Sequence, residues 1–468
     1  MTSTPESSSA LPDEAALRAS VAAAFPRTLE DLTSLVAIPG IAWDSFDPVH
    51  LDHSAEAVAE LLRGAGLRDV QILRGEQDGK PGGPAVVARR PAQEGKPTVL
   101  LYAHHDVQPP GDPELWETEP FTATERNGRL YGRGAADDKA GILVHVGALR
   151  ALDDVLGADS GVGITFFIEG EEEAGSPTFR NFLETHRDLL QADVIVVADS
   201  GNWKVGTPAL TTSLRGLVDG TFEVRVLGHA VHSGMFGGPV LDAPTLLARL
   251  ISTFHDDQGN LAIDGLTGFD DSGVDYPERD FREDSSVLDS VRLAGSGTIA
   301  SRLWTKPALS IIGIDVPSVA MASNTIQPAA KAKFSVRLAP GQDPAAAMDA
   351  MARHLEAHRP FGAEVIFTPG ESGNAFATDT SAPAAQTALW ALETAWGTAP
   401  VEMGVGGSIP FIADLVEVFP AAQILITGVE DPDSRAHSAN ESLNLADFEN
   451  AILAEALLLA RLGIQETP

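Results

Sequence analysis

Four short runs of apolar or β-branched residues constrain this chain more than any other feature: Val99–Tyr102, Ile164–Ile168, Val194–Val197 and Ile424–Thr427. A strand without alternating polar residues has no wet face, so each run belongs inside a parallel sheet. Segments with helical spacing, such as Ala140–Leu152 and Ser176–Leu190, lie between them. Strands alternating with helices make βαβ units. The expected fold class is therefore α/β, with a mostly parallel sheet covered by helices on both faces. Ala15–Ala37 also has helical spacing, with an interruption expected at Pro26.

The texture changes near Thr211. Gly220–Leu227 (GTFEVRVL) and Ala332–Leu338 (AKFSVRL) alternate like strands with one wet face, and Pro244–Phe254 and Pro344–His358 have helical spacing. Residues 211–372 thus read as an α+β domain inserted into the α/β one, which takes 1–210 and 373–468. Residues 1–14, rich in Ser, Thr and Pro, read as a loose tail. Asp270–Asp289, dense in Asp, Glu and Arg, reads as a solvated surface segment.

A length of 468 residues suits two or three domains. Lys and Arg total 32 against 66 Asp and Glu, a formal charge of −34. Nucleic acid and anionic membrane surfaces, which need surplus cations, are excluded as expected partners. The chain has no cysteine, which removes disulfides, thiolate metal ligands and cysteine nucleophiles. The polar N-terminus lacks a basic-then-apolar signal pattern and no apolar run is long enough to cross a bilayer, so the expected location is the cytoplasm.

Each apolar run leads into polar residues of one kind. The first ends in His104-His105-Asp106, the second in Glu169-Gly170-Glu171-Glu172-Glu173, and the third in Ala198-Asp199. The fourth opens a loop carrying Asp431, Asp433 and His437, and Tyr131–Lys139 adds Asp137 and Asp138. In open α/β sheets, ligands bind outside the carboxyl ends of strands. Singly, these residues would pass as caps or solvated turns. Together on one edge, so many carboxylates repel unless a cation neutralises them. Histidine and carboxylate ligands suit zinc, and also manganese or cobalt. The donors exceed the needs of one four-coordinate ion, which points to two ions about 3.5–4 Å apart sharing a bridging carboxylate.

Other polar residues read more plainly. His105 reads as a packed histidine or one that supports its neighbour His104, and His145 in its apolar helical run as a core histidine. Ser233 and Ser408 lie in no Gly-x-Ser-x-Gly elbow. Gly404–Gly407 forms neither a Walker loop nor a dinucleotide fingerprint.

Six motifs then stand in order along the chain: His104-His105-Asp106-Val107-Gln108-Pro109, Tyr131-Gly132-Arg133-Gly134 through Asp137-Asp138-Lys139, Glu169 to Ser176, His232-Ser233-Gly234, Gly406-Gly407-Ser408-Ile409-Pro410 and His437-Ser438-Ala439-Asn440-Glu441. In this order and over most of its length, the chain resembles the co-catalytic zinc metallopeptidases of the carnosinase, aminoacylase, carboxypeptidase G and acetylornithine deacetylase group, above all its dipeptidase branch. The resemblance implies a zinc-aminopeptidase-like catalytic domain with two divalent ions per subunit, zinc first, with manganese or cobalt as alternatives. His104, Asp137 and Asp199 would hold one ion and Asp137, Glu173 and His437 the other, with Asp137 bridging. Glu172 matches the general base and Asp106 the carboxylate that orients His104. The peptide Asp137–Asp138 is expected to be cis.

By the same resemblance the inserted block is a lid that forms a homodimer. His232 would reach the partner's active site and steady the oxyanion. Arg337 would pair with the substrate's C-terminal carboxylate, with Asn324 near the same group, and Gly407 and Ser408 would line the pocket. The implied reaction is hydrolysis of the amide bond of a dipeptide or related small peptide, with a water on the ions as nucleophile. The alternative is an N-acyl amino acid deacylase using the same site. Two departures touch substrate contacts: Gly404-Val405 stands where many dipeptidase relatives have Arg-Glu, and Gly370–Phe376 lacks a histidine that some carnosinase-type members carry. A catalytically dead binding relative would lack a ligand or the base, whereas all these positions are filled here.

Overall fold

The computed structural model describes residues 13–157, 160–270, 273–407 and 410–464. Most of the expected tail, residues 1–12, and Ser408 lie outside the described residues. The chain divides into two compact units: Met1–Thr212 with Thr378–Met403 and Asp414–Pro468, and Ser213–Ala377 with Gly404–Ala413.

The first unit is built on a mixed sheet. Its strands run in the order Asp69–Gln77, Lys80–Arg90, Gly163–Glu169, Thr98–His104, Val194–Val197, Gln423–Ile426 and Ala209–Leu214. The four apolar runs supply the parallel centre, and antiparallel strands flank it. Both faces are dry, and strand alternation divides them. Val99, Leu101, Phe166 and Val196 join a core shared with the helices Glu14–Val36, Lys139–Leu156 and Leu445–Ile464. On the opposite face Phe167 stacks on Phe179 and Phe182, at centroid distances of 5.6 and 4.9 Å.

Two expectations need correction here. The Glu14–Val36 helix passes through Pro26 without a break. A mid-helix proline costs about 3 kcal/mol, but Leu17 and Val21 before it and Leu32, Leu35 and Val36 after it are buried in one core, which holds both halves in line. The expected Ser176–Leu190 helix starts only at Phe179 and divides into Phe179–Thr185 and Arg187–Leu190. Ser176 is left-handed (φ 50°) and precedes Pro177, which rules out a helical start there.

The second unit is a four-stranded antiparallel sheet in the order Ala308–Asp315, Ala329–Leu338, Gly216–Arg225 and Glu364–Gly373. The alternation read in the sequence is real: Ala330, Ala332, Phe334, Val336 and Leu338 are buried, with more exposed residues between them. Helices Ala243–Ile251 and Pro344–Ala357 cover this face. Asp242 and Asp343 cap them by accepting from the backbone N–H groups of Thr245 and Ala346, and proline occupies the first turn of each. In the Asp270–Asp289 stretch the helix Glu278–Ser285 buries no residue, as a solvated segment should. Among the described residues no helix is long and apolar enough to cross a membrane.

One buried cation joins the first helix to the sheet edge. Lys139 is fully buried, and its Nζ donates to the carbonyls of Leu35 and Ile38 at 2.8 and 2.7 Å. These carbonyls end the Glu14–Val36 helix, where acceptors lack intrahelical partners. Each carbonyl also accepts a backbone N–H, Leu35 from Ile38 and Ile38 from Gly40, so Lys139→Met removes the two side-chain hydrogen bonds without orphaning the acceptors, at a cost of about 1–3 kcal/mol. Urea unfolding should show a lower midpoint with an unchanged slope; an unchanged midpoint would contradict this role.

Candidate metal centre

The parallel register brings the polar strand ends together. His104 lies opposite Glu169, and Tyr102 lies opposite both Phe167 and Val197, so the residues that follow leave the same edge. A short antiparallel sheet pairs Ser442 with Tyr131 and brings the His437–Glu441 loop beside the Arg133–Asp137 loop. The Asp137–Asp138 peptide is cis, as expected, and it stands at the N-terminus of the Lys139–Leu156 helix.

Asp137 lies between two imidazoles. Its Oδ1 is 3.1 Å from Nε2 of His104, and its Oδ2 is 3.0 Å from Nε2 of His437. The same His437 nitrogen is 3.3 Å from Oε2 of Glu173. Two sets of donors are close enough to share an ion, with ligand atoms within 4.8 Å of one another: His104, Asp137 and Glu173, and His104, Asp138 and Asp199. In the second set Asp138 stands beside Asp199, where the resemblance gave Asp137. Asp138 Oδ2 also accepts from the His104 backbone N–H at 3.2 Å.

Buried carboxylates hold the segments that present these donors. Asp106 accepts from the backbone N–H groups of Glu172 and Glu173, at 3.1 and 3.0 Å. Its carboxylate is 3.4 Å from Nδ1 of His104, while its own backbone carbonyl is nearer, at 3.1 Å. Glu441 takes the N–H groups of Gly134, Ala136 and Asp137 and pairs with Arg133 at 2.6 Å. Glu441 ends the motif that begins at His437, and nothing in the sequence assigns it a role. Its clamp spans 304 residues to Asp137, a separation at which no local pattern points to a partner. Gln108 donates to Glu173 at 2.6 Å.

The electrostatics follow from this crowding. Burial pushes Glu172 up to about 9; His104 opposes the shift, and Asp199, Asp106 and Glu173 add to it. Burial likewise raises Asp199 to about 7, again against His104 and with help from Asp137, Glu173 and Asp106. For Asp137, burial alone would raise the carboxyl, but hydrogen bonds from His104 and His437 outweigh it and hold it below the usual range. His437 is pushed up to about 11 by Asp137 and then Glu173. The edge is a well of negative charge that favours a proton or a cation, and its nitrogen and oxygen donors fit a hard or borderline divalent ion.

His105 and His145 are both buried and hydrogen-bonded, His105 through Nε2 alone. His105 is buried against the Pro84 carbonyl at 2.8 Å, and burial lowers it to about 4. His145 lies between Glu455 and the Tyr102 carbonyl, at 2.8 and 2.9 Å. In the second unit, exposed His232 pairs in register with Thr325, and its Nδ1 accepts from Gly234 N–H at 3.0 Å. The Asn324 carbonyl accepts from Ser233 N–H at 3.0 Å, which brings these two predicted residues together. Arg337 is half-buried on the Ala329–Leu338 strand, and Gly407 is half-exposed.

Histidines and carboxylates gathered at the carboxyl edge of a parallel sheet make a site suited to divalent ions, and the sequence says which class of metal-dependent enzyme this one is. Residues 100–461 match the model of peptidase family M20/M25/M40, and the chain belongs to that family. It is a metallopeptidase, as its motifs implied. Among its relatives is the cysteinylglycine-S-conjugate dipeptidase of Corynebacterium striatum, 37% identical over 78% of this chain and 81% of that protein. The Cys-Gly metallodipeptidase dug1 of Schizosaccharomyces pombe is 30% identical over 90% of this chain and 92% of its own length. The crystal structure of human carnosine dipeptidase 1 superposes with a TM-score of 0.74 at 26% identity, covering 96% of this chain and 98% of that one.

Removing the Glu441 clamp should loosen the loop that carries Asp137 while leaving every donor in place. Glu441→Ala is expected to weaken zinc binding about 10–100-fold, as supporting partners of metal ligands do elsewhere. Competition titration against a chelator would read this, and an affinity equal to wild type would contradict the clamp.

Proposed function

We propose that this chain hydrolyses the amide bond of dipeptides or related small peptides bearing a free C-terminal carboxylate. The observation that carries the reading is Asp137, with one carboxylate oxygen near His104 and the other near His437. That arrangement suits a carboxylate shared by two ions. His104 and Asp199 would complete one set of ligands, and Glu173 and His437 the other, with zinc the ion that best matches the donors. When bound, the pair would supply Lewis-acid polarisation of the scissile carbonyl and lower the pKa of water.

The chain's own groups would do the rest. Glu172, its backbone fixed by Asp106, takes a proton from the attacking water and passes it to the leaving amine nitrogen. A carboxyl whose proton affinity is raised by burial and neighbouring anions is matched to that task, since neutralising the neighbours lets it ionise. His232 would steady the tetrahedral oxyanion and Arg337 the substrate carboxylate, with Asn324, Gly407 and Ser408 lining the same pocket. The first compact unit would be the catalytic domain and the second the lid. Dimerisation through the lid is supported by its edge strand Ala308–Asp315, where Ile312 and Ile314 are 55% and 50% exposed, continued by Val319 and Met321. An exposed apolar edge strand is an association surface. The named activities of the bacterial and yeast relatives favour a dipeptide over an N-acyl amino acid.

A panel of dipeptides and N-acetyl amino acids, assayed with zinc and then manganese, tests the substrate class. Dipeptides should be turned over well above the N-acetyl compounds; the reverse order would make the chain a deacylase. Glu172→Gln should keep the metal and fold while losing about 10²–10⁴-fold in kcat. Retained turnover would remove Glu172 as the base.

A further inference from the structure

Arg215 sits in the second unit at the junction between the strands Ala209–Leu214 and Gly216–Arg225, and it is only 8% exposed. A buried guanidinium ordinarily has a carboxylate beside it. Here it has backbone carbonyls instead. Nε donates to Gly406 at 3.1 Å, Nη1 donates to Lys306 at 3.4 Å, and the Arg215 backbone N–H donates to Val405 at 3.3 Å. Among the described residues Arg215 makes no ion pair, and no acceptor is bonded to its Nη2. Gly406 lies so close that a Cβ there would be 2.9 Å from this Nη2, so a side chain would crowd the guanidinium.

The strand register brings a second arginine to the same place. Arg337 lies opposite Leu217 on the neighbouring strand. Side chains alternate along a strand, so Arg215, two residues before Leu217, projects on the face that carries Arg337. Such diagonal neighbours are about 7–8 Å apart, within reach of long side chains. Arg215 is therefore within reach of the Arg337 charge: burial first, and then Arg337, lowers Arg215 to about 10. Two like charges held together beside a glycine loop, one of them buried without an anion, form a receptor for an anion.

We propose that Arg215 is a second carboxylate-binding arginine, acting with Arg337 on the free C-terminal carboxylate of the substrate while its Nε holds Gly406 beside it. This rests on the dipeptidase reading and adds to it a specificity-determining residue that selects free acids over amides. A planar guanidinium matches a carboxylate with two parallel N–H groups, which a lysine ammonium does not.

The test compares L-alanylglycine with L-alanylglycinamide as substrates for the zinc-loaded wild type, Arg215→Met and Arg215→Lys. The wild type should prefer the free acid. In Arg215→Met the ratio of kcat/KM for acid over amide should fall about tenfold or more, chiefly through KM for the acid. If that variant does not fold by circular dichroism, Arg215→Lys decides, with a fall of about threefold or more expected because charge remains but the fork is lost. Equal losses on acid and amide would mean that Arg215 only supports the loop, and would overturn the proposal, as would an unchanged ratio. A wild type that cleaves neither substrate would overturn the dipeptidase reading itself, and the assignment with it.

Discussion

Mutual repulsion among carboxylates is the constraint on which the rest of this structure depends. Dry parallel strands release Asp106, Glu172, Glu173 and Asp199 at one edge, and the neighbouring loop adds Asp137 and Asp138. Burial first, and then the neighbouring carboxylates, hold Glu172 and Asp199 far above the ordinary carboxylate range. A protein that keeps such an arrangement needs cations for it, and the interleaved histidines supply the nitrogen ligands that divalent ions prefer. The site is thus a consequence of charge placed where hydrophobic burial leaves it no means of moving apart.

Positioning is achieved with more negative charge. Asp106 holds the backbone of Glu172 and Glu173, Glu441 holds Gly134 through Asp137, and Glu171 accepts from Gly83 and Thr178. Each clamp pairs a carboxylate with backbone N–H groups, a bond worth about 1.5–3 kcal/mol when one partner is charged. The clamps fix the donors before any ion arrives, and they also deepen the field that attracts it. In the second unit the logic is inverted: a buried arginine holds a glycine loop through its carbonyl oxygens, leaving positive charge available for an anion.

Much of this was legible in the sequence, for reasons that can be named. Apolar runs such as Val194–Val197 have only one environment that suits them, so the sheet and its polar edge could be read directly. Alternation in Ala332–Leu338 identified a half-exposed sheet in the inserted block. The motifs around His104, Asp137 and Glu172 carried the family, and the match over residues 100–461 bears that out. What the sequence concealed was long-range. Pro26 reads as a break because local propensity does not register the core that holds both halves of its helix. Glu441, apart from its pair with Arg133, and Arg215 are charged residues held by backbone groups brought close by folding, and backbone leaves no mark in a sequence.

Anomalous diffraction from crystals grown with zinc tests the central claim most directly. Two peaks flanking the Asp137 carboxylate are expected, one contacted by His104 and Asp199 and the other by Glu173 and His437. A single peak, or zinc bound away from Asp137, would contradict a shared bridging carboxylate and the chemistry built on it.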